Sequence, residues 1–532
     1  MLSGKAQRIE GETTVAEISP RDTPRKARDG HRIVIVGGGT AGWMTAAALS
    51  RFCDASWSIT LVESDAIGTV GVGEATIPMI QNFNAALGID EAAFIAATNG
   101  TYKLGIEFVG WSGRDSRYIH AFGLLGRGLG LLPFQHYWLR GRAEGVVSDL
   151  GDYVLNYVAC RENRFAHVQR EPGSPLPPMP FAYHFDAGLY AAFLRRYAEA
   201  RGVVRREGRI EDVDLDSESG DVVAVRLESG EAIGGDLFVD CSGFRGLLIG
   251  DAIETGWTDW SHWLPCDRAI AVPCEPTEPW LPYTRSTARE AGWQWRIPLQ
   301  NRIGNGHVFC SAYMAEDAAH DILLANLDAK PTAEPRTIRF ATGVRNTAWN
   351  RNVVAIGLSA GFIEPLESTS IHLIQTGINR LLDYLPVSGF GDGDRASFNR
   401  RAAYEMERIR DFIILHYHAN QREGQPFWDA LRTMEIPDSL AEKLSMFRAG
   451  GKIIRDQDEL FDVPGWVQVM LGQGVEPEAW HPLADQLSRE QLVQFLDTVK
   501  SAYARDVARM PDHQTYVTKL ADKGRKMIGQ TA

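Results

Sequence analysis

Three stretches of this 532-residue chain carry residue types at spacings that could do chemistry. The first is Gly37-Gly38-Gly39-Thr40-Ala41-Gly42, between the apolar run Arg32–Val36 and a helical run from Trp43 to Ser50. Gly37 permits a tight turn, Gly39 lets the backbone approach a pyrophosphate, and Gly42 lets helix and strand pack closely. Thr40 and Ala41 stand where the helix begins, and its free N–H groups and positive dipole end favour phosphate there. Glu63 closes a second apolar run, Ile59–Glu63, where an acid can accept hydrogen bonds from ribose hydroxyls. A lone glycine turn is weak evidence, but strand, turn, helix and terminal acid in register predict a dinucleotide site. The second stretch is Phe362 to Ser370, ahead of a helical run from Ile371 to Tyr384. Ser368 or Thr369 is the expected N-cap. The helix end would then be receptive to an anion, or simply capped, with Glu367 placed favourably against the dipole. The third is Gly292-Trp293-Gln294-Trp295-Arg296-Ile297-Pro298. On an extended strand both tryptophans face one side, and Pro298 ends the ladder. The pair makes a rigid apolar wall, which equally serves core packing.

The elements that must position these residues belong to a large, ordinary globular chain. At this length the chain can bury a sizeable core and form more than one lobe. Hydrophobic residues make up 44% and the formal net charge is -13, which argues against nucleic acid or an anionic membrane as the main partner. The six cysteines form no C-x-x-C pair and show no zinc spacing, so free thiols in a reducing cytoplasm are expected. Residues 1–30 are polar, without the apolar core of a signal peptide, and are read as a disordered leader. No apolar run is long enough to cross a membrane. The histidines show no convergent, motif-defined set, so no metal is assigned.

The string Gly292–Pro298 resembles the GWxWxIP signature of flavin-dependent halogenases, the group that includes the tryptophan halogenases. Other blocks match in order. Asp236–Gly243 and Val353–Ala360 resemble the FAD-contacting strands of glutathione-reductase-like flavoproteins, although Gly357-Leu358 stands where many relatives have Gly-Asp. The segment around Phe362, Pro365 and Ser368 is similar to the family's Fx.Px.Sx.G motif, with Ser370 in place of the last glycine. Asn99-Gly100 and Ile106-x-Phe108 place the family's essential lysine at Lys103.

That resemblance implies FAD, used as FADH2 and supplied by a separate NAD(P)H-dependent flavin reductase, together with O2 and a halide. Gly37, Gly39, Thr40, Ala41, Gly42, Glu63, Gly357 and Ser368 would hold the cofactor. The backbone amides of Thr369 and Ser370 would hold chloride or bromide. Lys103 would hydrogen-bond hypohalous acid or become an N-haloamine, and Glu367 would stabilise the arenium cation or take its proton. Trp293 and Trp295 would line a tunnel that contains the oxidant, which otherwise attacks thiols and thioethers. His120 and Phe122 resemble residues that sandwich the substrate ring. The blocks around His136, His184 and His416 read as framework. The segment Arg455–Trp466 is shorter and poorer in aromatics than the part that clamps free tryptophan in tryptophan halogenases. An indole or related electron-rich aromatic is therefore the expected substrate.

The fold so implied is α/β and FAD-monooxygenase-like. A Rossmann-type module interleaves with a β-rich layer over residues 31–384, and a helical subdomain spans residues 385–532 of a monomer or homodimer. The alternatives are an aromatic hydroxylase, which needs no positioned lysine and no halide, an NAD(P)H-linked oxidoreductase, for which no second GxGxxG is present, and a flavin carrier without turnover.

Overall fold

The computed structural model describes residues 31–67, 73–168, 178–385 and 391–531; the leader read over residues 1–30 lies outside them. The run RIVIV forms the strand His31–Val36, which pairs in parallel with Trp57–Glu63 on one side and Leu237–Asp240 on the other. Val204–Glu207 and Val353–Ala355 extend the sheet in parallel, and the antiparallel Trp349–Asn350 closes one edge. Ile33 and Ile35 belong to one buried cluster, and Val34 and Val36 to another. Alternation along the strand thus feeds two cores, which is why the run is apolar throughout. The helix Thr40–Phe52 follows the first strand directly.

A seven-stranded sheet stands beside this module. Its order is Arg336–Arg339, Arg268–Cys274, Ile303–Phe309, Gly292–Pro298, Thr284–Arg289, Gly105–Val109 and Arg117–Ala121. The signature strand Gly292–Pro298 lies at its centre with every residue buried. Trp295 faces Gly306 across the ladder, where a Cβ would come within 2.0 Å of the indole ring. Glycine at that position makes the room that the second tryptophan needs. A small sheet of Glu74–Ala75, Ala182–Phe185 and Thr101–Lys103 sits alongside. Lys103 ends its last strand, and Leu104 alone separates it from Gly105–Val109 in the large sheet.

Beyond residue 391 the described elements are helices, led by the 27-residue Asp392–His418. The helix Arg489–Ala508 opens on a capping box between Ser488 and Gln491. No helix among the described residues is long and apolar enough to cross a membrane.

Candidate active site

The glycine turn is shaped by what a side chain would strike. Gly37 adopts φ 109°, and a Cβ there would lie 2.3 Å from the Cys241 carbonyl. At Gly42 a Cβ would lie 1.8 Å from the Gly37 carbonyl oxygen, so helix and turn touch only because residue 42 is glycine. Gly39 has nothing within 4 Å of that position, which leaves its face open. It also begins the helix Thr40–Phe52 without a side-chain cap. An open face beside uncapped helical N–H groups fits the pyrophosphate of a flavin dinucleotide. Gly357, at φ 81°, brings the turn after Val353–Ala355 against Ala41, with a Cβ there only 3.0 Å from the Ala41 methyl. Glu63 folds over Gly38. Arg205 Nε donates to one of its oxygens at 2.5 Å and Trp43 Nε1 to the other at 3.3 Å.

Lys103 is fully buried. Its Nζ donates to Ser368 Oγ at 2.7 Å and to the Thr76 carbonyl at 2.9 Å, and lies 5.2 Å from the centre of the Phe122 ring. Burial pulls its pKa down to about 7, with Glu367 acting in the opposite direction. The contact with Ser368 joins residues 265 positions apart.

Glu367 is 1% exposed and faces two histidines. His120 Nδ1 lies 2.9 Å from Oε2, and His416 Nε2 lies 2.9 Å from Oε1, off the line of a straight hydrogen bond. Burial alone would raise this carboxyl. His120, and after it His416, outweigh burial and bring it down to about 2. Glu367 is therefore a buried anion, beside the loop residue that binds the lysine. His120 stands opposite Ile106 in the strand pair next to Lys103, and Phe122 N–H donates to the Leu104 carbonyl. The two strands thereby hold Lys103, His120 and Phe122 together.

The expected hydroxyl cap is absent. The helix Ser370–Asp383 starts after Thr369, and neither hydroxyl accepts from its first turn. Ser368 takes φ 61° and turns its oxygen to Lys103, while Thr369 Oγ1 is buried without a partner. Lys103 competes for the Ser368 oxygen and wins, because a buried ammonium needs an acceptor more than an N–H at a helix end does. Ser370 sits half-buried at the first helical position.

The tryptophan wall has a partner as well. The rings of Trp293 and Trp295 lie 6.1 Å apart, and Trp293 Nε1 donates to Glu364 Oε2 at 2.5 Å. Tyr417 O–H donates to the same oxygen at 2.6 Å.

Residues 32–489 match the tryptophan halogenase family. The chain belongs to the tryptophan halogenase family. Among solved structures it is similar to Xcc4156, a flavin-dependent halogenase from Xanthomonas campestris, at 49% identity and a TM-score of 0.90 over 93% of this chain and 99% of that one. BrvH, a flavin-dependent halogenase from Brevundimonas sp. BAL3, gives 45% and 0.89 over 93% and 99%. The tryptophan 6-halogenase SttH of Streptomyces toxytricini is 35% identical over 495 residues, 87% of this chain and 94% of that protein. The protein is an oxidoreductase of the flavin-dependent halogenase type, and its α/β fold is theirs.

Three residues of this halogenase escape a reading of the sequence. His416 reads only as part of a framework block, yet it reaches Glu367. Glu364 is part of the Glu-Pro-Leu-Glu run, and only the downstream acid attracts a role. Gln468 carries no motif. Its buried amide accepts from Ala121 N–H and donates to the Ala121 carbonyl, both at 3.1 Å, and so clamps the backbone between His120 and Phe122. The segment Arg455–Trp466 packs against the site. Phe461 stacks on Phe412 at 3.8 Å, and Gly465 lies against His120, where a Cβ would come within 2.9 Å of Nε2.

Proposed function

We propose that this halogenase uses FADH2 from a separate NAD(P)H-dependent reductase, O2 and chloride or bromide to form hypohalous acid, and halogenates an indole or related electron-rich aromatic. Reduced flavin, when bound, would donate electrons to O2 and so activate it as the oxidant that converts halide into hypohalous acid. The observation that carries the reading is the buried Lys103 ammonium, tied to Ser368 and so to the residue next to Glu367.

Lys103 Nζ presents the halogen to the ring, by a hydrogen bond to hypohalous acid or as an N-haloamine. A carbon–halogen bond forms as the oxygen–halogen or nitrogen–halogen bond breaks. The Glu367 carboxylate steadies the cationic ring and accepts the proton as the carbon–hydrogen bond breaks, and the oxygen leaves as water. The Thr369 and Ser370 amides hold the halide, and the Trp293–Trp295 wall keeps flavin and aromatic apart.

An indole without an amino-acid backbone is favoured by how three of the four acids of residues 455–466, all but the exposed Asp458, are engaged. Asp456 accepts from Tyr404, Glu459 pairs with Lys443 and Asp462 caps its own helix. Among these three, none is left to bind an ammonium group. The test supplies FAD, reductase, NADH, O2 and indole with each halide, and reads halogenated product by mass. Lys103→Ala should abolish product while flavin binding persists, and unchanged halogenation would remove Lys103 from the mechanism. Free tryptophan turned over as efficiently as indole would sink the substrate reading.

A further inference from the structure

Two glutamates three residues apart on one loop receive opposite treatment. Glu367 is held by two histidines, as described above. Glu364 is fully buried, and both of its contacts, Trp293 N–H and Tyr417 O–H, fall on Oε2. Oε1 is buried with no partner. The titratable groups that face Glu364 are Tyr417, Cys266 and Cys310. All three are held neutral by burial, and among the described residues no cation acts on Glu364. Ionised, the side chain would place uncompensated charge on a bare oxygen in the protein interior, which is strongly unfavourable. Neutral, it satisfies two donors with one carbonyl oxygen, whose two lone pairs suffice, and leaves one O–H unpaired, which costs less than an unpaired charge.

We propose that Glu364 is a protonated positioning residue that pins Trp293 and Tyr417, and so joins the tryptophan wall to the loop of Glu367 and the helix of His416. The role given to the wall rests on the proposed function; the protonation does not. Burial raises the Glu364 carboxyl to about 7, which agrees with a neutral acid in the resting protein. Two carboxyls pushed apart by their surroundings divide their tasks. Glu367 stays available as an anion, and Glu364 holds a proton and a shape.

The linkage sign follows. Between the unfolded value near 4.5 and the folded value near 7, the native state binds the extra proton, so the contribution of this group to stability falls as pH rises through that window. Glu364→Gln keeps an oxygen for Trp293 and Tyr417 without a group to ionise.

The experiment has two arms on the full-length protein. In the first, infrared difference spectra of wild type minus Glu364→Gln at pH 6 should show the carbonyl band of a protonated carboxylic acid, and the melting temperature of the variant relative to wild type should climb from pH 5 to pH 8. No acid band, or a flat difference in melting temperature, overturns the protonated assignment. In the second, halogenated indole formed per NADH consumed is compared between variants. Glu364→Leu, which keeps no acceptor, should lose coupling severalfold with the missing electrons recovered as peroxide, and Glu364→Gln should restore most of it. Should Glu364→Leu not fold, Trp293→Phe, which removes the N–H and keeps a ring, takes its place in that arm. Coupling equal to wild type in the variant used overturns the positioning role. Wild-type protein that makes no halogenated product refutes the proposed function and leaves the first arm standing.

Discussion

Ser368→Ala tests the link between the lysine and the Glu367 loop. The substitution removes one of the two acceptors of the Lys103 ammonium and leaves the Thr76 carbonyl. A hydrogen bond to a charged group contributes about 1.5–3 kcal/mol. Only the protonated amine needs it fully, and one pKa unit corresponds to about 1.4 kcal/mol. The Lys103 pKa, already brought to about 7 by burial, should therefore fall further, by roughly one to two units. If the ammonium presents the halogen, halogenation falls as pH rises through that pKa. The assay is the pH profile of halogenated indole formation at saturating reduced flavin and halide. Wild type should lose activity around pH 7, and Ser368→Ala should lose it one to two units lower. A variant whose profile merely drops in height, with its alkaline limb unmoved, refutes the claim that Ser368 sets the charge of Lys103. A limb that rises through pH 7 in wild type would show that the free amine is the working form.

Other outcomes follow from the same geometry. Lys103→Met should abolish product yet raise the melting temperature, because a buried charge gives way to an apolar chain. The folded lysine has a lower pKa than the unfolded one, so its contribution to stability rises with pH between about 7 and 10.5, and the gain in Lys103→Met should be larger at pH 6 than at pH 9. His416→Phe leaves Glu367 with one histidine against burial. The acid limb of activity, set by a carboxyl held at about 2 in wild type, should move upward into the measurable range, and a limb that stays put would remove His416 from the control of Glu367. Gly306→Ala drives a methyl into the Trp295 ring and should cost about 1–3 kcal/mol or more in denaturant unfolding.

Much of the fold was legible because its signals are local. The glycine turn, the apolar first strand and the alternating tryptophans are each set by backbone sterics and side-chain period over fewer than ten residues. The family resemblance then named Lys103 and Glu367. Thr369 stands at the N-cap position, one of the two residues expected there, but neither hydroxyl makes the capping hydrogen bond. A hydroxyl before a helix is a good cap when nothing else competes, and for Ser368 the competitor, Lys103, comes from a distant strand. His416 and Gln468 were illegible because a helix writes the same pattern whether its buried polar residue meets a backbone carbonyl or a carboxylate, and Glu364 because a loop does not show which of its acids meets a tryptophan.

By itself, then, the sequence determined a dinucleotide cradle, a tryptophan wall and the residue types of the proposed halogenating pair. Only the tertiary structure decided which of two neighbouring glutamates is charged, which hydroxyl serves the lysine and which histidines hold the anion. The reason is physical. Turn and strand geometry depend on neighbours along the chain. The charge of a buried group depends on desolvation and on partners within a few ångströms, and folding draws those partners from up to 265 positions away.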